Sequence, residues 1–206
     1  MGIPQLNQSR LIVSLALFTI LILLFRNAGK FNDPDPDPVI VNMSDTGDVI
    51  SKLKVSVRQV SSASSPPPKL AVAVTNTHSS AVTILSWNSP LDPLALQLGL
   101  VSFVHADSDS PIQIPTIQIR RKMPPGPEAL VEIGAGQIRE QVLELRDPIV
   151  PLEELRGKVR VACAGEWMGV WLSEADAVPK ASLEKAGASD DAFRGPFRSE
   201  AVDMEL

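Results

Sequence analysis

The chain of 206 residues contains one cysteine, two histidines and no tyrosine. A lone cysteine, Cys163, closes no internal disulfide and brings no second thiolate, which excludes a small bridge-stapled scaffold and any cysteine-built zinc or iron–sulfur centre. His78 and His105 are the only histidines, and neither begins an H-E-x-x-H helix that would present two imidazoles to one metal. No glycine-rich loop leads into a helix, so nothing is built to cradle a phosphate. Positive charge is also short. Residues 1–30 hold Arg10, Arg26 and Lys30 and no acid, leaving 16 bases against 24 acids in the rest, a body of net charge −8. Such a body is repelled by phosphate backbones, and no nucleic-acid partner is expected.

What is present begins with an apolar run. Leu11 to Phe25 is uninterrupted between Arg10 and Arg26 and shows no polar face at any period. As a helix it spans about 22 Å, short of a bilayer core of about 27–30 Å but bridgeable by snorkelling arginines. The same length suits the core of a cleavable signal peptide, but Phe25-Arg26-Asn27-Ala28-Gly29 offers no A-x-A pattern, which favours an uncleaved signal anchor. Charges flanking the run are nearly balanced; a short head and a large carboxy-terminal body favour a body facing the lumen or cell exterior. Of the two sequons, Asn7-Gln8-Ser9 and Asn42-Met43-Ser44, Asn42 is then the glycosylation candidate. In Asp33-Pro34-Asp35-Pro36-Asp37-Pro38 the prolines fix φ and the carboxylates repel, which makes a stiff spacer rather than a calcium cage. The expected organisation is an anchor or signal peptide at 1–30, an extended linker at 31–48 and a folded domain at 49–206.

That domain repeats the period-2 alternation of half-buried strands. Leu53 to Arg58 alternates, as do Leu70, Val72 and Val74; Ala81 to Trp87, Leu100 to His105, Ala129 to Ile133 and Ile138 to Leu145 follow. Ile112 to Arg120 contains Pro115 and reads as an edge or bent strand. Lys158 to Ala164 alternates, with Trp167 to Leu172 continuing it or pairing with it, and Phe197 to Met204 is a closing strand. Only Ala181 to Ala186 reads as helix. Eight or so short strands with turn signals near every ten residues point to an all-β, immunoglobulin-like antiparallel β-sandwich, with a closed barrel as the alternative.

Two stretches carry a resemblance. Leu70-Ala71-Val72-Ala73-Val74-Thr75-Asn76-Thr77 with Val82-Thr83-Ile84-Leu85-Ser86-Trp87-Asn88-Ser89-Pro90-Leu91-Asp92, and later Gly165-Glu166-Trp167-Met168-Gly169-Val170-Trp171, resemble a family of uncharacterised fungal secretory-pathway proteins over about residues 68 to 205. The same region is distantly similar to the β-sandwich that precedes the catalytic domain of deuterolysin-type metalloendopeptidases. The resemblance implies an immunoglobulin-like fold and passage through the secretory pathway, and no zinc chemistry, since the histidines for it are missing.

Candidate chemistry is sparse. His78, in a turn beside Ser79 and Ser80, reads as a surface residue; Asp107 to Pro111 starts like a calcium loop but has Ile112 and Gln118 where glycine and glutamate are needed. Glu153-Glu154 point to opposite faces of a strand, and Arg120-Arg121-Lys122 reads as a solvated face or, in the secretory pathway, a processing site. Cys163, on the apolar side of its alternation, should be buried and unreactive. If Trp167 to Trp171 is one strand, Trp167, Gly169 and Trp171 share a face and could stack on a sugar or a partner. With aromatics so scarce, packing of Trp167, Trp171 and Trp87 in the core is the favoured alternative. No metal, cofactor or catalytic residue is expected. The reading is a non-catalytic, membrane-tethered or secreted binding module, held in the membrane through residues 11–25 if uncleaved. It would present loops such as Ser61 to Pro68 and Pro124 to Pro127 to a protein or glycan. The alternatives are an accessory or regulatory domain acting on a secreted protease, or an unrecognised hydrolase.

Overall fold

The computed structural model describes residues 48–61 and 66–205. The apolar run at 11–25, the Pro/Asp stem and the sequon at Asn42 lie outside these residues. Among the described residues no helix is long and apolar enough to cross a membrane.

Two antiparallel sheets face each other across one core. The smaller holds β1 (Leu53–Ser61), β2 (Lys69–Asn76) and β7 (Ile138–Glu144) in the order β1-β2-β7. Leu53, Val55 and Val57 alternate inward from β1 while Lys54, Ser56 and Arg58 point out, as the period-2 pattern requires. Central β2 departs from that pattern, because Ala71 and Ala73 on its outer side are buried too. Register explains it: Arg58 lies opposite Ala71 and Glu140 opposite Ala73, and the guanidinium of Arg58 grips the Glu140 carboxylate through two bonds of 2.6 and 3.1 Å. The ion pair crosses above the small alanines and shields them.

The larger sheet is organised by β8 (Lys158–Trp171), 14 residues long. One edge of β8 carries β4 (Val101–His105) and then β3 (Val82–Leu85); the other carries β10 (Val202–Glu205) and then β9 (Phe193–Arg198). Short β5 (Pro111–Ile112) extends the sheet beyond β4, and β6 (Leu130–Ile133) extends it beyond β3. The segments at 158–164 and 167–172 are thus one continuous strand. The closing strand is broken instead: at Ser199 the chain leaves regular pairing, and that residue ties itself to Cys163 by donating its N–H to the Cys163 carbonyl (2.8 Å) and accepting the Cys163 N–H on Oγ (2.9 Å). A five-residue helix, Lys180–Glu184, is the longest regular helix past β1.

The inner faces meet in a core that includes Val55, Val72, Phe103, Val161 and Trp167. A second cluster of Leu85, Ala129, Trp171 and Val178 fills the end where β3 and the chain after β8 meet. Three expectations need correcting. Of the stretch 112–120 only Ile112 pairs as strand, together with Pro111 before it; beyond it Pro115 has no N–H to donate, and the extended segment has one backbone bond, from Ile117 N–H to the Gln97 carbonyl (2.9 Å). His78 is buried at 9% exposure, its Nε2 2.9 Å from the Val49 carbonyl oxygen, because the helical turn at 48–51 folds back over it. Trp87 is only half-buried, at the margin of the second cluster.

Cys163 is fully buried on the inner side of β8, and burial pushes its thiol up to about 12. An unfolded thiol titrates near ~8.5, so above that pH the unfolded chain sheds a proton that the native chain keeps. The Cys163 contribution to stability is therefore intact below pH ~8.5 and falls by about 1.4 kcal/mol per unit above it. Denaturant titrations at pH ~8 and ~10 should show a steeper loss for the native chain than for Cys163→Ala. Equal slopes would mean the thiol is open to solvent.

Candidate functional site

The loop after β3 is knotted around a carboxylate. Trp87-Asn88-Ser89-Pro90-Leu91-Asp92 turns tightly, and Asp92 is fully buried, accepting the N–H of Asn88 (2.8 Å) on Oδ2 and that of Leu94 (3.0 Å) on Oδ1. Ser89 Oγ accepts the Leu91 N–H at 3.1 Å. The prolines in this loop supply no donors, and the short polar side chains stand in for the missing backbone partners. A buried carboxylate also needs a counter-charge. Arg121 supplies it, donating from Nη2 to Asp92 Oδ2, with its guanidinium carbon 5.4 Å from the centre of the Trp87 ring. Arg121 is thus a half-buried ion-pair partner rather than part of a solvated face; Arg120 and Lys122 beside it remain exposed.

From the other side, Gln141 of β7 reaches this loop and donates from Nε2 to the carbonyls of Pro90 (2.7 Å) and Asp92 (2.8 Å). Three segments distant in sequence therefore converge on Asp92: its own loop, the extended segment bearing Arg121, and β7. The convergence fixes one wall of a cleft of about 480 Å³, formed by Pro93, Leu96 and Gln97. The opposite wall is β7 with the residues after it: Val142, Leu143, Glu144, Arg146 and Ile149, closed by Lys69 of β2. The rim is electrostatically ordered, since Glu144 accepts from Lys69 (3.2 Å) and Arg146 (2.9 Å), leaving two cations around one anion.

Beyond the cleft the outer face of the small sheet continues with Val142 and Ile138, 49% and 57% exposed, and Val60 on β1, 44% exposed. Glu140, paired with Arg58, lies between Ile138 and Val142 on this face, so the exposed apolar side chains alternate with charge there. Sequence reasoning missed both features. The Trp87-to-Asp92 signature was visible, but nothing local marks Arg121, 29 residues downstream, as its partner.

The tryptophan pair is placed differently from the stacking platform. Trp167 and Trp171 are 1% and 3% exposed, and they lie in separate clusters. A register shift between Trp167 and Val170 in the pairing with β9 breaks the alternation, so the two indoles do not share one outward face. Trp167 packs against Phe197 with ring centres 4.8 Å apart, and only the edge of its surroundings, between Glu166 and Arg194, meets a solvent hollow of about 450 Å³. Gly169 has its own reason: the chain returns at Gly187 (φ +79°), where a Cβ would stand 2.6 Å from the Met168 carbonyl oxygen and 2.8 Å from the Gly169 Cα. A Cβ on Gly169 itself would stand 2.7 Å from the tip of the Trp171 indole and 3.1 Å from the Gly187 Cα, so glycine there leaves room for the buried indole and the returning backbone rather than flattening an exposed surface. Among the described residues no group of three or more histidine, cysteine or acidic side chains could hold a metal. The loop at 124–127 buries Pro125, and the loop at 61–68 is described only in part.

Removing the cation from a buried pair strands its partner's charge. Arg121→Met is expected to cost about 3 kcal/mol, the low end for buried pairs because the Arg121 side chain is 22% exposed against 0% for Asp92. The double change Asp92→Asn, Arg121→Met should cost clearly less than the two single changes added together. Urea denaturation of the four proteins decides this, and strictly additive costs would show the two side chains to be uncoupled.

A family model described as immunoglobulin-like domain matches residues 52–206. An uncharacterised secreted protein of Arthroderma benhamiae is 34% identical over 156 residues, which cover 74% of this chain and 77% of that protein. The crystal structure of the Northeast Structural Genomics Consortium target SoR45 aligns over 76% of this chain and 88% of its own at 10% identity, with a TM-score of 0.32. None of these matches is to a deuterolysin-type endopeptidase. With two facing antiparallel sheets and a family match spanning nearly all of the described residues, the chain belongs to the immunoglobulin-like domain family.

Proposed function

We propose that this protein is a non-catalytic binding module of the secretory pathway whose ligand is a segment of another protein. The observation that carries the reading is the cleft between residues 93–97 and β7, with its apolar floor of Leu96, Leu143 and Ile149 and its rim of Lys69, Glu144 and Arg146. A floor of that kind takes an apolar side chain, and a rim with one cation in excess favours a carboxylate next to it. The adjoining exposed Val142 and Ile138 enlarge the contact area beyond the cleft itself. The walls are rigid, because the Asp92 ion pair and the Gln141 bonds fix them before any partner arrives, and a preformed site avoids the ordering cost of binding.

Secretion is supported by the related secreted protein of Arthroderma benhamiae and by the apolar run at Leu11 to Phe25, which also suits a membrane tether. In either form the carboxy-terminal domain meets its partner in the lumen or outside the cell.

Proximity labelling with the full-length chain in its own cell tests the reading. Val142→Glu changes a side chain that is 49% exposed, so its effect on stability should stay within about 0.5 kcal/mol. Proteins labelled by the native chain but lost with Val142→Glu are the expected result. An unchanged set of labelled proteins would remove the cleft and its margin from the binding surface.

A further inference from the structure

Among the described residues the sandwich is open along one flank. Between β1 and the β9–β10 edge runs a groove of about 520 Å³, floored by Leu53, Val55, Val57, Phe197 and Val202. The two edges that border it differ in what they offer. The Thr77 N–H bonds to the Lys52 carbonyl at 2.9 Å, in the same register as β1 with β2, so by antiparallel alternation Lys54, Ser56 and Arg58 direct their backbone groups to β2. The N–H and C=O of Leu53, Val55 and Val57 then point the other way, into the groove. Here β1 has no proline or inward charge, and its register first shifts at Gln59.

The facing edge is blunted. The Ser199 N–H bond to Cys163 fixes the β9 alternation so that Pro196 and Arg198 face the groove, and Pro196 has no N–H to give. Further along, the Gln59 side chain occupies the backbone of Glu205, donating to its carbonyl at 2.6 Å and accepting its N–H at 3.4 Å. The groove therefore has one receptive edge and one closed edge.

We propose that β1 is a strand-addition site: an extended segment of a partner protein pairs antiparallel with Leu53 to Val57 and lies in the groove. Residues opposite Leu53, Val55 and Val57 share their inward face, which calls for apolar side chains at three alternate positions. The residue opposite Lys54 lies on the outer face beside an exposed ammonium, and Arg198 adds a second cation on the far rim against the single anion Glu200. The segment recognised is thus apolar-x-apolar-acidic-apolar, read from the Val57 end. It is independent of the cleft beside Asp92.

A fluorescent peptide Thr-Val-Thr-Val-Asp-Val-Thr, titrated into the purified full-length chain, tests this. Saturable binding should slow hydrogen exchange at the amides of Leu53, Val55 and Val57, and N-methylation of the three peptide valines should weaken it about tenfold. Val55→Pro removes a groove-facing N–H while leaving every bond to β2 in place, and should weaken binding by a similar factor. Lys54→Glu provides the second variant: it should disfavour this peptide and favour the one with lysine in place of aspartate. Undiminished binding of the N-methylated peptide, indifference to both variants, or absence of binding would overturn the proposal. So would a dimer in sedimentation that Val55→Pro dissociates, which would give the edge to a second copy of this chain.

Discussion

A strand in the middle of a sheet must find backbone partners on both edges for its whole length, and in this protein that demand falls on the 14 residues of β8. No single neighbour is long enough, so four shorter strands share the task, two along each edge. The rest of the larger sheet takes its arrangement from that sharing. Where β4 gives way to β3 and β10 to β9, β8 crosses from the sandwich core into the smaller cluster around Trp171, and the register shift after Trp167 is the local cost of the crossing. The Gly169–Gly187 contact lies at the same place, where the returning chain has room only for bare backbone.

Asp92 answers a different demand. A fully buried carboxylate is tolerated only if its oxygens are bonded and its charge is met, and the loop after β3 provides two amides while a segment 29 residues away provides the guanidinium. This couples parts of the chain that have no ladder between them. The irregular stretch from 113 to 124 has almost no regular bonding of its own, and Arg121 gives it a fixed address. The cleft walls inherit that fixity, since the same loop is held from the β7 side by Gln141.

Much of the fold could be read along the chain because burial alternates along it: Leu53, Val55 and Val57 face in, Lys54, Ser56 and Arg58 face out, and Cys163 falls on the sealed side of β8. What escaped reading was decided by contacts between distant residues. Ala71 and Ala73 are buried because an arginine on one neighbouring strand meets a glutamate on the other across them. His78 is buried because Val49 folds back onto it, and a turn sequence taken alone points outward. Trp167 and Trp171 have the spacing of one face, but a single shift in pairing undoes a period-2 argument for everything downstream. The cleft was least legible of all, since its walls come from β2, β7 and two loops whose juxtaposition follows from the sheet order rather than from any motif.

The buried thiol has a bearing on how the molecule matures. Many exported domains wait on oxidising enzymes to lock their final form and pass through mispaired species on the way. Here the lone sulfur is buried in the core on the inner side of β8, and the sequence holds no second cysteine to pair with it. Folding is complete without any redox step. With its one thiol buried, the domain offers no sulfur handle for mixed disulfides with its neighbours.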